Sequence, residues 1–296
     1  MKVPKPIHFL SYKIMTPIGF DQMVAVVKAL LVDQELLRLY EAGDRISQAQ
    51  TKHDVAHAQA VMSAAQCIQD EISRLVPGKL SMESRAIVIP AGAFFHDIGR
   101  AEDVDNHAQA GMKIALNYLR KKNFSTEVAS KIAAIVARHR SEDLNKIPIE
   151  SLKLFPELAI VVIADKCVGD EDRVRFWRAL TLSILSRVGL AKLNLWRNSK
   201  HDRVNFAIKD SQILVDGDDH PSSEHAGAII LKLQMDTSVA SGEELLKLYS
   251  RRFQACDWAA KSLGFAFRVE VNGSRFFFDQ QSSKWSPKET FAITLP

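Results

Sequence analysis

The chain has 296 residues, of which 47% are hydrophobic and 25% charged, a balance typical of a soluble globular protein with one large domain or two ordinary ones. The formal net charge is +4 at pH 7. No block of lysine or arginine stands out, so nucleic-acid binding is not indicated. No apolar run reaches the roughly 18 residues of a membrane span, and the N terminus lacks the hydrophobic core of a signal peptide. We therefore expect a cytoplasmic protein that uses no membrane.

The three cysteines, Cys67, Cys167 and Cys256, lie far apart in the sequence and show no metal or redox spacing. An isolated cysteine in apolar company is usually a small buried hydrophobe. This pattern fits a reducing compartment.

Hydrophobic periodicity predicts a mostly α protein in three parts. We expect an N-terminal lead-in over residues 1–20, a helical domain over 21–198, and an α+β C-terminal domain of unknown role over 199–296. Helices are predicted over about 21–43, 52–76, 81–95, from 107, 126–139, 156–165 and 170–197. The 156–165 run is continuous and β-branched, so a buried strand is its alternative. The proline at its start favours a helix.

The last third of the chain shows a different pattern. Strands are predicted over 204–208, 212–215 and 229–235, followed by a helix over 241–263 with Ser241 as its N-cap. Asn272 and Gly273 separate two further apolar runs, 265–271 and 275–278, which predicts a hairpin. The prediction for this part is a small α+β module.

Histidine and aspartate residues occur at the ends or on the apolar faces of several predicted helices. His96 and Asp97 end an apolar helix, where an unpaired charge would be costly. Each residue alone has an ordinary explanation, such as a core histidine. Together they suggest side chains converging inside one bundle, which is how helical bundles build metal sites. The predicted ligands are His57, His96, Asp97, His107, His139 and Asp165.

Imidazole and carboxylate ligands without a thiolate favour a catalytic ion over a structural zinc. We expect one or two divalent metal ions, chosen from Mn, Fe, Mg, Co and Zn. Six ligands are enough for two metals that keep open positions for substrate or water.

These residues, in this order, resemble the HD-domain superfamily of metal-dependent phosphohydrolases, over roughly residues 20–180. The pattern is a first histidine on a helix, the His–Asp pair, two further histidines and a last aspartate. His53 competes with His57 for the first position; the spacing of His57 to Val61 and its inward face favour His57. Residues 140–143 lack the Gly-Tyr-Pro signature of the branch that cleaves cyclic di-GMP, so we set that branch aside.

The resemblance implies a fold and a chemistry. His57, His96, Asp97 and Asp165 would hold one metal, His107 and His139 a second, and Asp97 would bridge them. A metal-activated hydroxide would cleave a phosphoester of a nucleotide or related small phosphate. Asp97 would therefore be catalytic, and Lys166 and Arg100 would neutralise phosphate charge. The C-terminal part is similar to that of a bacterial subgroup of HD proteins, a resemblance that brings no substrate with it.

Two alternatives of other classes stay open. Some HD-fold proteins use a similar ligand set to hold two irons and act as oxygenases. An HD protein can also be regulatory, binding a ligand while its C-terminal module serves as a partner or oligomerisation surface. A homodimer is possible under each interpretation, and the sequence does not give the substrate, the metal or the oligomeric state.

Overall fold

The computed structural model describes residues 17–47, 51–144, 146–219, 225–279 and 284–287. Most of the predicted lead-in lies outside these residues. The predicted fold class is confirmed: a helical bundle is followed by a small mixed sheet.

The bundle contains eleven α-helices within the described residues. They are α1 (Phe20–Ala29), α2 (Gln34–Ile46), α3 (Val55–Leu75), α4 (Ile89–Phe95), α5 (His107–Lys121), α6 (Thr126–Arg138), α7 (Ser141–Leu144), α8 (Ile149–Lys153), α9 (Pro156–Cys167), α10 (Phe176–Arg187) and α11 (Ser199–Ala207). Short 3₁₀ turns lie at Leu30–Val32, Ile98–Ala101 and Glu171–Arg173, and a π-helical turn at Ser84–Val88 precedes α4.

Two helices follow the bundle and pack with five strands. The elements are β1 (Ile208–Asp216), β2 (Ala228–Met235), α12 (Gly242–Leu248), α13 (Ser250–Leu263), β3 (Ala266–Val271), β4 (Ser274–Asp279) and β5 (Lys284–Ser286). The strand order is β1-β2-β3-β4-β5. β2 and β3 are parallel and the other neighbours antiparallel, because α12 and α13 form the crossover that a parallel pair needs.

Aspartate caps decide where two of the bundle helices begin. The single helix predicted over 21–43 is wrong: the chain breaks at Asp33, whose side chain accepts hydrogen bonds from the amides of Glu35 and Leu36 and so starts α2. Asp54 caps α3 by accepting from the amide of His57. Such caps satisfy the free amides of a first turn and stabilise a helix by about 1 kcal/mol.

Three further boundaries differ from the prediction. Residues 204–207 are the last turn of α11 rather than a strand, so the first strand begins only at Ile208. The helix predicted over 170–197 is shorter, at Phe176–Arg187. The one predicted over 241–263 is interrupted at Tyr249, although Ser241 does cap α12 and forms a capping box with Glu244.

The run at 156–165 is helical, as predicted, and forms the centre of the core. In α9 every residue from Glu157 to Asp165 is buried, which explains why its sequence shows no helical stripe. α3 and α4 pack on α9, and so does α13 of the C-terminal module. One hydrophobic core therefore runs from the bundle into the module; the predicted domain boundary at residue 199 stays a prediction.

Two cysteines that are distant in sequence meet in this core. The Sγ atoms of Cys167 on α9 and Cys256 on α13 lie 3.9 Å apart, and both are free thiols. Sequence spacing gave no sign of this pair. Among the described helices, none combines the length and the apolar character needed to cross a bilayer.

Candidate metal centre

The structure brings all six predicted ligands into one buried cluster at the middle of the bundle. α3 supplies the first histidine, the end of α4 the His–Asp pair, α5 and the end of α6 one histidine each, and α9 the last aspartate. The cluster consists of His57, His96, Asp97, His107, His139 and Asp165, each at most 7% exposed.

A close backbone approach places Asp97 beside α5. The turn Ile98–Ala101 lies directly on the first turns of α5, and a Cβ on Gly99 would be 2.0 Å from the carbonyl oxygen of His107 and 2.2 Å from the amide of Gly111. Only glycine fits at position 99 without moving the backbone. This contact therefore holds the His–Asp pair next to His107.

The two carboxylate oxygens of Asp97 face two different groups of side chains. Oδ2 lies 3.9 Å from Nε2 of His57 and 3.4 Å from Nε2 of His96. Those two nitrogens lie 3.6 and 3.5 Å from Oδ1 of Asp165. We call His57, His96 and Asp165 the Oδ2 group.

On the other side, Oδ1 of Asp97 lies 3.2 Å from Nε2 of His107 and 3.8 Å from Nε2 of His139. We call these two histidines the Oδ1 group. Two ligands of one ion, each about 2.1 Å from it, are roughly 3.0–3.5 Å apart at tetrahedral or octahedral angles. Both groups have about this spacing. The pair His57 and His96, and the pair His107 and His139, each form a possible metal-binding triad with Asp97.

Backbone carbonyls fix the tautomers of three histidines. Nδ1 of His96, His107 and His139 lies 2.7–2.8 Å from the carbonyl oxygen three residues earlier in the chain. A carbonyl only accepts, so Nδ1 must carry the proton and Nε2 must point its lone pair into the cluster when the ring is neutral. This is the arrangement in which histidine binds metals.

Without a bound cation, the inward-facing nitrogens of these histidines repel one another. Burial and the charge of Arg173 lower the pKa of His57 to about 3, and burial and Lys166 lower that of His139 to about 3 as well. Burial also lowers the pKa of His107. The Nε2 atoms of His107 and His139 are 3.3 Å apart, so two lone pairs face each other at neutral pH. A positive ion between them removes this repulsion.

His96 is the exception among the four histidines. Burial opposes its protonation, but Asp97 and Asp165 raise its pKa to about 10. Burial alone would raise the pKa of Asp97 and of Asp165. Arg100 and His96 nevertheless hold the pKa of Asp97 well below its usual range, and Lys166 and His96 do the same for Asp165. Nε2 of His96 is buried without a well-formed hydrogen bond. A divalent ion would replace that proton, and the donor set fits one.

The other two predicted catalytic residues contact ligand carboxylates. Nζ of Lys166 lies 2.5 Å from Oδ2 of Asp165, and Nε of Arg100 lies 3.0 Å from Oδ1 of Asp97. Both side chains are nearly buried, so each holds a ligand in place with a charge-assisted contact. Their direct contact with phosphate stays a prediction.

His53 lies at the edge of the cluster. It precedes α3 rather than lying in its first turn, because Asp54 is the cap. Its Nε2 is 3.9 Å from Oδ2 of Asp97, whereas Nε2 of His57 approaches Asp165 as well. The geometry favours His57 as the first ligand.

Arg173 belongs to the site although the sequence gave no reason to select it. It donates to the carbonyl oxygens of Lys52 and Val168 and so ties the segment before His53 to the end of α9. The only signal in the sequence was its place shortly after the last ligand, among several arginines.

Residues 54–170 match the family model described as HD domain. This stretch runs from the cap of α3 to just beyond α9 and contains all six residues of the cluster. The predicted resemblance to the HD-domain superfamily is therefore confirmed for this stretch of the chain, and that family consists mostly of metal-dependent phosphohydrolases. No curated protein matches the chain.

Proposed function

We propose that the protein is a metal-dependent phosphohydrolase that cleaves a phosphoester of a nucleotide or related small phosphate. The observation that carries the proposal is the position of Asp97, whose two oxygens face two separate groups of ligand atoms. His57, His96 and Asp165 would hold one ion with Oδ2, and His107 and His139 a second with Oδ1. When bound, such ions polarise phosphoryl oxygens and lower the pKa of water.

The charges around the cluster support an anionic substrate. Arg100, Lys166 and Arg173 all act electrostatically on Asp97 or Asp165. Three cations therefore surround two carboxylates before any metal adds its charge. A site of this sign attracts phosphate and stabilises the charge that develops during its transfer.

The chain's own residues would have distinct roles. Asp97 would position both ligand groups relative to each other. Arg100 and Lys166 would hold the carboxylates of Asp97 and Asp165 and keep them ionised. The carbonyls behind His96, His107 and His139 would keep each Nε2 turned inward. The burial of the cluster would exclude bulk water, which strengthens every charge interaction inside it.

The test is phosphate release from a panel of nucleotides and sugar phosphates with the metal-stripped protein reloaded with Mn²⁺. We expect release from at least one compound by the wild type and none by Asp97→Asn. A protein that purifies with two irons, shows an iron–oxo absorption band and consumes O₂ while releasing no phosphate would instead be an oxygenase. Tight nucleotide binding without turnover with each metal would indicate a regulatory protein.

A further inference from the structure

A cavity of about 350 Å³ opens beside the cluster, between the bundle and the C-terminal module. Its volume suits a small molecule. It adjoins the candidate metal centre because His53 lines it and also approaches Asp97. The other lining residues are Thr51, Arg173, Asn198, His201, Asp202, Asn205, Leu248, Tyr249 and Arg252.

Two arginines give this pocket a positive charge. Arg173 is only 7% exposed, and Arg252 is half-buried with its guanidinium 4.8 Å from the ring centre of Tyr249. Among the described residues, neither arginine forms an ion pair within 4.0 Å, and Asp165 and Asp97 act on Arg173 only from farther away. Burial and the charge of Arg252 lower the pKa of Arg173 to about 10. Two cations that share a pocket without a carboxylate partner are costly unless an anion joins them.

The one carboxylate among the described lining residues is already neutralised. Oδ2 of Asp202 accepts hydrogen bonds from Arg178 at 3.0 Å and from the indole of Trp196 at 2.7 Å. Its Oδ1 is buried and has no hydrogen-bond partner. Asp202 therefore does not cancel the two arginines, and it leaves one acceptor for a hydroxyl or N–H group of a ligand.

We propose that this pocket binds a second anionic group of the substrate, one that is not cleaved. Arg252 and Arg173 hold that phosphate or carboxylate, and Oδ1 of Asp202 accepts from a neighbouring hydroxyl or amine. The substrate is then a sugar or nucleoside phosphate that carries a second anionic group. The inference rests on the proposed function for the cleaved group. It also gives the C-terminal module a role, because α13 supplies Arg252.

Binding of inorganic phosphate to the metal-stripped full chain tests the pocket without any turnover. Calorimetry with Arg252→Gln should show a dissociation constant at least about tenfold above that of the wild type, the loss expected for one charge-assisted contact. Arg251→Gln is the matched control, since Arg251 is exposed on the same helix and does not line the pocket. It should bind phosphate like the wild type.

Equal phosphate affinity in the wild type and Arg252→Gln would overturn the proposal, and so would absence of saturable wild-type binding at about 10 mM phosphate. A second measurement uses the Mn²⁺-loaded protein. For a bisphosphate substrate, Arg252→Gln should lower kcat/KM at least about tenfold, with little change for p-nitrophenyl phosphate. An equal loss for both compounds would also contradict the pocket.

The two ideas fail in different ways. Phosphate binding that depends on Arg252, in a protein that hydrolyses none of the panel, would reject the phosphohydrolase and keep the anion pocket. If the protein hydrolyses a compound of the panel but binds phosphate equally well with and without Arg252, the phosphohydrolase proposal stands and the anion pocket is rejected.

Discussion

The two groups of ligand atoms that flank Asp97 differ in charge. The Oδ2 group contains a second carboxylate, Asp165, so that a metal there would meet two negative ligands. The Oδ1 group contains two neutral imidazoles, and Arg100 lies 3.0 Å from the same oxygen of Asp97. A divalent ion gains more from two carboxylates than from one. Lys166 contacts Oδ2 of Asp165 and leaves Oδ1 facing His57 and His96, whereas Arg100 contacts the same oxygen of Asp97 that faces the Oδ1 group. We therefore expect the Oδ2 group to bind its metal first and more tightly.

The largest effect should come from removing the residue that both groups share. Asp97→Asn takes the negative charge from both sides, and we expect metal content to fall close to zero and phosphate release to drop at least about 1,000-fold, the loss of several kcal/mol of charge stabilisation. Metal analysis measures the metal content, and steady-state kinetics measure the rate of phosphate release. Asp105→Asn, on an exposed loop residue nearby, is the control and should change neither. An active Asp97→Asn protein with one tightly held ion would show that Asp97 is not the bridge.

The difference between the groups can be tested by removing one histidine from each. His57→Gln should abolish the tight site and with it most bound metal. His139→Gln should leave one tightly held ion and lose the second, with activity reduced by about 10- to 100-fold. His53→Gln should retain both ions, because His53 lies outside the triads. If His57→Gln and His139→Gln lost the same amount of metal, the proposed order of affinity would be wrong.

How far these residues could be predicted from the sequence depends on whether their signal is local. His57 lies on a helix whose apolar periodicity indicates which way it points, and His96 and Asp165 end apolar runs, where a charged side chain needs partners. The sequence was therefore sufficient to select them. The helix at 156–165 was assigned correctly from the proline at its start, since its continuous apolar run is also compatible with a strand. The break at Asp33 was missed because the apolar pattern continues across it and only the cap reveals it.

Features that depend on tertiary contacts could not be predicted from the sequence. Arg173 and Arg252 are far apart in the chain and become one charged pair only when α13 packs beside α9. The Cys167–Cys256 contact arises from the same packing. Residues 204–207 show β-like alternation but lie in α11, where their position in the fold overrides local preference.

The pH dependence of stability provides a further test, with an expected effect of intermediate size. In the metal-free protein, the pKa values of His57 and His139 are about 3, against 6.5 in an unfolded chain. Between pH 3 and 6.5 the unfolded chain therefore binds more protons than the folded protein does. The contribution of His57 and His139 to the stability of the fold is lost as the pH falls from 6.5 towards 3. His96 has the opposite sign, since its pKa is about 10 in the folded protein. Its contribution is fully present below pH 6.5 and is lost as the pH rises through 10.

Thermal unfolding of metal-stripped protein should therefore give the highest Tm near pH 6.5, with losses on both sides on the order of a few kcal/mol. His139→Gln should flatten the acid side, because one of the two groups that resist protonation is gone. A wild-type Tm that increases steadily from pH 4 to pH 6.5 and stays constant up to pH 10 would contradict the charge assigned to His96.

The smallest expected effect concerns Arg100, which shares an oxygen of Asp97 with the Oδ1 group. Because the guanidinium competes with a metal for Oδ1, Arg100→Gln should tighten binding of the second ion, by up to about tenfold. Titration with Mn²⁺ followed by electron paramagnetic resonance separates the two ions. A weaker second site in this variant would contradict this expectation and show that the loss of the contact that holds Asp97 in place outweighs the loss of competition for Oδ1.

Anomalous diffraction from crystals of the full chain soaked in Mn²⁺ tests the central claim most directly. The account predicts two peaks on either side of Asp97, one among His57, His96 and Asp165 and one beside His107 and His139. A single peak that does not touch Asp97, or no peak within the cluster at saturating Mn²⁺, would contradict it.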